Sequence, residues 1–466
     1  MSKKKKRIPD GPEQPFCPDF EMCGGCIYQR FSYEGQRDLK LERVQGMLRE
    51  VCPDFPLYEC LDSPARYEYR NKMEFSFGDQ MKDGPLTLGL HQRGSFYNIV
   101  PILDCKIVDS DYRAILWTTM QYFREKGVSY VHKRTHEGFL RHLLVRKGAA
   151  TGELMVALVT SSDETVKTRL CHDEENTSDT DNSDPDTSDA EPSYEYGECS
   201  SRELMEEYVE RLERLELRGS LSGVLHIIND SLADVVQADE IRLLYGKDWI
   251  EERLLGLKFK ITPFSFFQTN SPGAEVLYSV VRDYIGDVSG MTVFDLYSGT
   301  GTIAQLLAPV AKRVIGVEIV EEAVEAAREN AALNGLKNCE FIAGDVLQVL
   351  DDLSELPDVM VLDPPRDGIH PKALPKLMDY GVEHFVYVAC KPESLARDLP
   401  VIMEAGYKPV KAVCVDMFPW TKHVETVCLL SKLHEAKHHI NVKIDMDELE
   451  LTSSDDIVAK LFTTVT

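Results

Sequence analysis

Apolar positions along the chain change their spacing several times, and each change marks a change of architecture. Leu39, Val44, Met47, Leu48 and Val51 fall at helical spacing and predict a helix over 33–51. From Tyr69 to about Val108 the pattern is strand-like, with turn signals at Asp83-Gly84 and Arg93-Gly94. Between 161 and 201 apolar residues nearly vanish among Asp, Glu, Ser and Thr, which predicts a flexible acidic insertion. After Ile261 the grammar becomes strand–helix alternation: "MTVFDLYSGTG", "AKRVIGVEIV", "CEFIAGDV", "DVMVLDPP" and "HFVYVAC" are short apolar runs that end in small or acidic residues. A helix is predicted over 320–333, stopped by Asn334-Gly335. Such alternation predicts an α/β fold with a parallel sheet covered on both faces.

The bulk numbers refine this picture in three ways. A chain of 466 residues exceeds one ordinary core, so two or three domains are expected. No apolar run has the length of a membrane span and no signal peptide follows the basic start, so a cytoplasmic protein without a membrane partner is expected. In that compartment the 12 cysteines point to metal binding or catalysis rather than to disulfides. The net charge of -26 argues against nucleic acid only until its distribution is read: residues 1–150 carry 24 Lys+Arg against 20 Asp+Glu, a net of +4, which leaves -30 for the remainder. A local basic surface can still neutralise phosphates.

Ligands of a doubly wound sheet sit beyond the carboxyl ends of its strands. Here those ends carry Asp295-Leu-Tyr297-Ser-Gly299-Thr-Gly301, Glu318, Asp345 and Asp363. Gly299, Gly301 and Ala304 alone also fit a dinucleotide fingerprint, which leaves a nicotinamide oxidoreductase open. The order Asp295, Glu318, Asp345 and Asp363-Pro-Pro-Arg366 instead looks like a class I S-adenosylmethionine methyltransferase. Arg366 stands where enzymes acting on exocyclic amines usually place an aromatic residue. The next strand end presents Cys390, and a late strand carries Glu425. A thiolate and a carboxylate near a methyl donor suit attack on carbon 6 of uracil and removal of its carbon-5 proton.

A second set of cysteines lies near the N-terminus. Cys17, Cys23 and Cys26 share a Gly-containing loop, and Cys105 is the best candidate for a fourth ligand. Spacing alone leaves zinc and iron–sulfur about equally open.

"FFQTN", "DLYSGTGT", "GVE", "LDPPR", "YVACKP..LARDL" and "HVETV" together resemble the RNA uracil-C5 methyltransferases of bacterial ribosomal and transfer RNA, from about Cys17 to Lys432 outside the acidic insertion. The resemblance implies that Cys390 is the nucleophile and Glu425 the general base. It implies that Gln268, Tyr297, Glu318 and Asp363 contact S-adenosylmethionine, with Asp345 a further cofactor candidate, and that Phe266 lies at the target base. It implies a [4Fe–4S] cluster on Cys17, Cys23, Cys26 and Cys105, as in the members that act on 23S ribosomal RNA. The chain departs from the family at Ala389-Cys390-Lys391-Pro392, where Ser-Cys-Asn-Pro is common; the charge of Lys391 is expected to favour the thiolate. The expected division is a disordered basic tail (1–15), an iron–sulfur region (16–110), a central RNA-binding domain (111–260) with its flexible insertion (161–201), a Rossmann-like methyltransferase domain (261–432) and an acidic extension (433–466). The expected molecule is a monomer that binds RNA, ribosomal in preference to transfer RNA. A DNA cytosine-C5 methyltransferase would order its motifs differently, and a non-enzymatic iron–sulfur RNA-binding protein would not need Cys390, Asp363 and Glu425 together.

Overall fold

The computed structural model describes residues 16–82, 84–172, 193–233, 236–353 and 355–432. The expected basic tail and acidic extension lie outside the described residues, as does the middle of the expected insertion.

In chain order the elements are α1 (Tyr33–Val51), β1 (Leu57–Leu61), β2 (Lys72–Asp79), β3 (Leu86–His91), β4 (Ile99–Val100), α2 (Ser110–Glu125), β5 (Leu140–Lys147), β6 (Glu153–Thr160), β7 (Thr165–His172), β8 (Ser193–Ser200), α3 (Ser201–Glu213), β9 (Ser220–Ile228), β10 (Glu240–Gly246), β11 (Ile250–Leu254) and β12 (Leu257–Ile261). The second half continues with α4 (Ser271–Ile285), β13 (Thr292–Leu296), α5 (Thr302–Leu307), β14 (Arg313–Glu318), α6 (Glu321–Leu333), β15 (Cys339–Ala343), α7 (Val346–Asp352), β16 (Val359–Leu362), α8 (Ala373–Asp379), β17 (His384–Ala389), α9 (Pro392–Glu404), β18 (Tyr407–Val415) and β19 (Glu425–Lys432).

Two large sheets result. One has the order β1-β18-β19-β17-β16-β13-β14-β15, parallel except where β19 runs against β17 and β18. The other has the order β10-β9-β6-β5-β2-β3-β4 and is antiparallel apart from β6–β9. The run "LMVALV" in β6 shows how they join. Leu154, Val156 and Leu158 face a core that contains α2 and α3, whereas Met155, Ala157 and Val159 face a core shared with α4, α5 and α6. A strand buried on both faces needs no polar alternation. The third core lies on the opposite face of the eight-stranded sheet, under α1, α8 and α9.

Two expectations change here. The boundary at 260 does not separate the chain cleanly, because β1 pairs in parallel with β18, Cys60 opposite Cys414, and so places an N-terminal strand at the edge of the C-terminal sheet. The ends of the 161–201 stretch are ordered: β7 and β8 pair along their whole length, Val166 is buried, and the Arg169 N–H donates to the Gly127 carbonyl at 2.9 Å. Acidic composition averaged over the whole window hid two edge strands with neighbours to pair with. Among the described residues no helix is long and apolar enough to cross a membrane.

Helix α1 begins at Ser32, whose hydroxyl accepts the Gly35 N–H at 3.0 Å, a regular N-cap. Its Lys40 is fully buried and donates to Asp416 at 2.5 Å and to the Phe418 carbonyl at 3.0 Å. Removing one partner of a buried ion pair leaves an uncompensated charge, at a cost of about 3–5 kcal/mol, whereas an apolar replacement of both can be neutral. Asp416→Asn is therefore expected to lower unfolding free energy by about that amount in urea titrations, and Lys40→Met with Asp416→Leu to recover most of it.

Candidate active site

The side-chain period of two aims the catalytic candidates at one face. Val293, Val359, Val361, Val386, Val388 and Val427 all point into the core beneath α4. Asp295, Asp363, Cys390 and Glu425 stand two residues further along the same strands, or just past their ends, and continue that face. Antiparallel register does the rest. Ala389 pairs with Thr426 and Val388 with Val427, so the next step of the ladder sets Cys390 beside Glu425. Parallel register places Leu362 beside both Leu296 and Tyr387, which brings Asp363 between Tyr297 and the end of β17. Tyr278 of α4 is buried over the group, with the charges of Asp363, Glu425 and Asp295 around its hydroxyl and Gln268 hydrogen-bonded to it.

Electrostatically the site is crowded with carboxylates. Loss of hydration, with Asp363 and Glu318 nearby, pushes Asp295 up to about 8. Loss of hydration also raises Asp363 to about 7 and, with Asp363 beside it, Glu425 to about 8. The Cys390 thiol rises to about 11 through burial and the charges of Glu425 and Asp363, while Arg366 opposes the rise. The cation that bears on the thiol is thus Arg366; Lys391 is exposed and its carbonyl begins α9, accepting the Ser394 N–H at 2.9 Å.

The loop after β13 is shaped to admit a ligand. Asp295 accepts the Ala304 N–H at 2.8 Å with one carboxylate oxygen, and its other oxygen is buried without a partner. Glu318 accepts the Gly299 N–H and the Val320 N–H, both at 3.0 Å. Gly301 has φ +70°, and a Cβ there would lie 2.4 Å from the Phe341 ring, so no other residue fits. Tyr297 itself holds a left-handed conformation at φ +67°. Asp345 is exposed and caps α7 by accepting the Leu347 N–H at 2.7 Å. Phe266 is 68% exposed, and its carbonyl accepts the Thr300 hydroxyl at 3.2 Å. Gln268 is held by Asn71, which donates to its carbonyl at 3.2 Å.

Several positioning residues escape a motif search. Buried Arg146 of β5 donates to the carbonyls of Thr262 (2.6 Å), Pro263 (3.0 Å) and Ser265 (2.8 Å) and so fixes the loop that carries Phe266 and Gln268. Asp398 of α9 accepts the Ile369 N–H at 3.0 Å and the Tyr387 hydroxyl at 2.8 Å, while Arg397 donates to the Asp367 carbonyl at 2.5 Å. These bonds tie the loop that follows Asp363 and Arg366 to the helix that follows Cys390. The "ARDL" motif signalled their presence, though not their task.

The four N-terminal cysteines line one small cavity together with Phe16 and Gln29. All four are unbridged thiols. Burial pushes Cys26 up to about 12 and Cys105 to about 11, and the charges of the other thiols add to the rise in each. Among the described residues no group of three or more His, Cys, Asp or Glu is arranged to hold a metal ion. The loop is fastened to the segment before Glu425: the Ile27 and Tyr28 N–H groups donate to the Trp420 carbonyl at 2.9 and 3.0 Å, and the Trp420 indole donates to the Arg66 carbonyl at 2.6 Å.

An open α/β sheet with acidic and glycine-bearing strand ends defines a class I methyltransferase fold. Residues 287–380 match the family described as methyltransferase domain. The chain is 49% identical over 412 residues to an uncharacterised RNA methyltransferase of Clostridium tetani, covering 88% of this chain and 82% of that one. It is 46% identical over 423 residues to another from Clostridium acetobutylicum, covering 91% and 85%. A solved structure of Pyrococcus abyssi tRNA (uracil-54, C5)-methyltransferase in complex with S-adenosyl-L-homocysteine aligns with a TM-score of 0.65 at 28% identity, covering 88% of this chain and 86% of that one. The protein belongs to the RNA methyltransferase family of these relatives.

With its thiol near 11, Cys390 holds about one thiolate per thousand molecules at pH 8. Its alkylation by iodoacetamide is expected to accelerate with pH until about 11. Removing the carboxylate in Glu425→Gln should shift that profile to lower pH, and Arg366→Gln should shift it higher. Mass spectrometry of the Cys390 peptide reads both.

Proposed function

We propose that the protein methylates carbon 5 of a uridine in RNA, with S-adenosylmethionine as methyl donor. The observation that carries this reading is the strand register that sets Cys390 beside Glu425, with Asp363 and Arg366 on the same face. The carboxylate-rich pocket suits the donor. Asp295 with its unpartnered oxygen, Asp363 and Glu425 all carry a desolvation penalty that a cationic ligand relieves. S-adenosylmethionine bears both an ammonium and a sulfonium, and the sulfonium supplies an electrophilic methyl group. Gln268, Tyr297, Glu318 and Asp363 would line its site, whereas Asp345, as the cap of α7, serves the loop's shape first.

Cys390 Sγ adds to carbon 6 of the uracil, and the electron pair of the 5,6 double bond becomes available at carbon 5, which takes the methyl group. Glu425 then removes the carbon-5 proton; the double bond reforms and Cys390 Sγ leaves. A base that titrates near 8 is matched to proton removal near neutral pH. Arg366 stabilises the thiolate before attack and after departure. Phe266, exposed beside the glycine loop, offers a face on which the extruded base stacks.

Large-subunit ribosomal RNA is the proposed substrate, because the cysteine cavity matches the resemblance to the members that act there. A transfer RNA is the second reading, favoured by the solved relative that acts on tRNA. In tritium-release assays with carbon-5-labelled uridine, wild type is expected to act on large-subunit fragments, Cys390→Ala on none, and Glu425→Gln to accumulate a covalent protein–RNA adduct. Release from transfer RNA transcripts alone would transfer the assignment to the second reading, and activity in Cys390→Ala would overturn the mechanism.

For the cysteine cavity we propose a [4Fe–4S] cluster. Cys23, Cys26 and Cys105 are buried and Cys17 is half-buried, burial opposes ionisation of Cys26 and Cys105, and a cationic centre would offset the cost of holding these groups as thiolates. A lone tetrahedral zinc, with Zn–S bonds of about 2.3 Å, is the alternative occupant of the same four cysteines. A cuboidal cluster spreads its ligands further apart. Protein purified without oxygen is expected to be brown with iron and sulfide in equal amounts, and Cys23→Ser to lose both; stoichiometric zinc without sulfide is the contrary result.

A further inference from the structure

The segments 91–98 and 130–138 present a surface that catalysis at Cys390 does not use. Phe96 is 83% exposed and Tyr97 51% exposed, side by side in the connection from β3 to β4. Two adjacent exposed rings offer a partner a contiguous apolar face. Their backbone is stiff, since the Ser95 hydroxyl accepts the N–H groups of Tyr97 (3.2 Å) and Asn98 (3.1 Å). The facing loop is equally tight: the His132 N–H donates to the Glu137 carbonyl and the His136 N–H to the His132 carbonyl, both at 2.8 Å. The two segments touch, with Lys133 donating to the Phe96 carbonyl at 2.7 Å and the Arg134 guanidinium 5.4 Å from the centre of the Tyr97 ring.

Charge selects the partner. Across these segments Arg93, Lys133 and Arg134 stand against Glu137 alone, with three histidines besides, in a chain whose net charge is -26. Among the described residues neither Arg93 nor Arg134 has a carboxylate within ion-pair distance. Flat rings interleaved with cations suit the π-faces and phosphates of unpaired nucleotides. A duplex hides its base faces and would leave the rings unused.

We propose that Phe96, Tyr97 and Arg134 form a stacking platform for unpaired nucleotides of the RNA, separate from the residues that act on the target uridine. This rests on the RNA methyltransferase reading. It also gives the cysteine loop a task. Arg93 donates its N–H to the Met22 carbonyl at 2.7 Å and its guanidinium to the Cys26 carbonyl at 2.9 Å, and Gln92 bridges to Cys23, so that loop buttresses the connection carrying both rings.

The test uses full-length protein and fluorescence anisotropy with a single-stranded oligouridine of about 20 nucleotides and a duplex of the same length. Phe96→Ala and Tyr97→Ala are each expected to raise the single-strand Kd about tenfold and to leave duplex binding unchanged. Phe96→Leu, apolar without a ring, should lose as much as Phe96→Ala, and Tyr97→Phe should lose little. Arg134→Gln should lower the salt dependence of binding by about one unit of slope. On a substrate RNA the ring variants should raise KM and keep kcat. Unchanged Kd in the ring variants while wild type binds and methylates RNA would overturn the platform, as would equal loss on duplex, or single-strand affinity retained in Phe96→Leu. Failure of wild type to methylate any RNA would overturn the underlying reading instead.

Discussion

The buried contact between Lys40 and Asp416 is the tie on which the remaining geometry depends. Asp416 follows β18 and opens the loop that leads to Glu425, and Lys40 belongs to a helix nearly four hundred positions earlier. Around that tie the loop is held by the Tyr69 hydroxyl on the Pro419 carbonyl, by Asn270 on the Met417 carbonyl and by Gln36 on the Trp420 N–H. Trp420 pays for its place with a left-handed backbone at φ +69°. The general-base candidate therefore owes its position to the first seventy residues as much as to its own strand.

The pocket behind that loop is built against its own solvation. Asp295, Asp363 and Glu425 would each be easier to ionise in water, and they share one face. Such an arrangement stores binding preference for a cation and at the same time raises the basicity of Glu425. The same crowding suppresses the Cys390 thiolate, so the proposed nucleophile is weak until the charge around it changes. Arg366 is the resident counterweight, and its loop is held by Arg397 and Asp398 rather than by any residue of the pocket.

Legibility followed the range of the interactions. Asp295, Asp363 and Cys390 sit at strand ends within short motifs, so local pattern located them, and the alternation after Ile261 announced the sheet. Glu425 was readable because "HVETV" is strand-like, although the register beside Cys390 needs the folded ladder. Arg146, Trp420 and Lys40 act across more than a hundred residues and look like ordinary strand, loop and helix residues in sequence. The placement of β1 at the edge of the C-terminal sheet was hidden for the same reason, and β7 and β8 were hidden by an acidic average taken over a window wider than either strand.

Because β1 lies beside β18, the order of synthesis matters. The edge strand and its helix leave the ribosome about 350 residues before the strand they pair with, so they have no sheet to join for most of translation. The apolar faces of Val44, Leu48 and Leu57 must wait, shielded only by local collapse or by chaperones. When β18 and β19 emerge, one event completes the sheet, seats Lys40 on Asp416 and brings Glu425 to Cys390. On the proposed mechanism a chain that stops short of β19 has Cys390 without Glu425 beside it, and competence arrives only with the last strands.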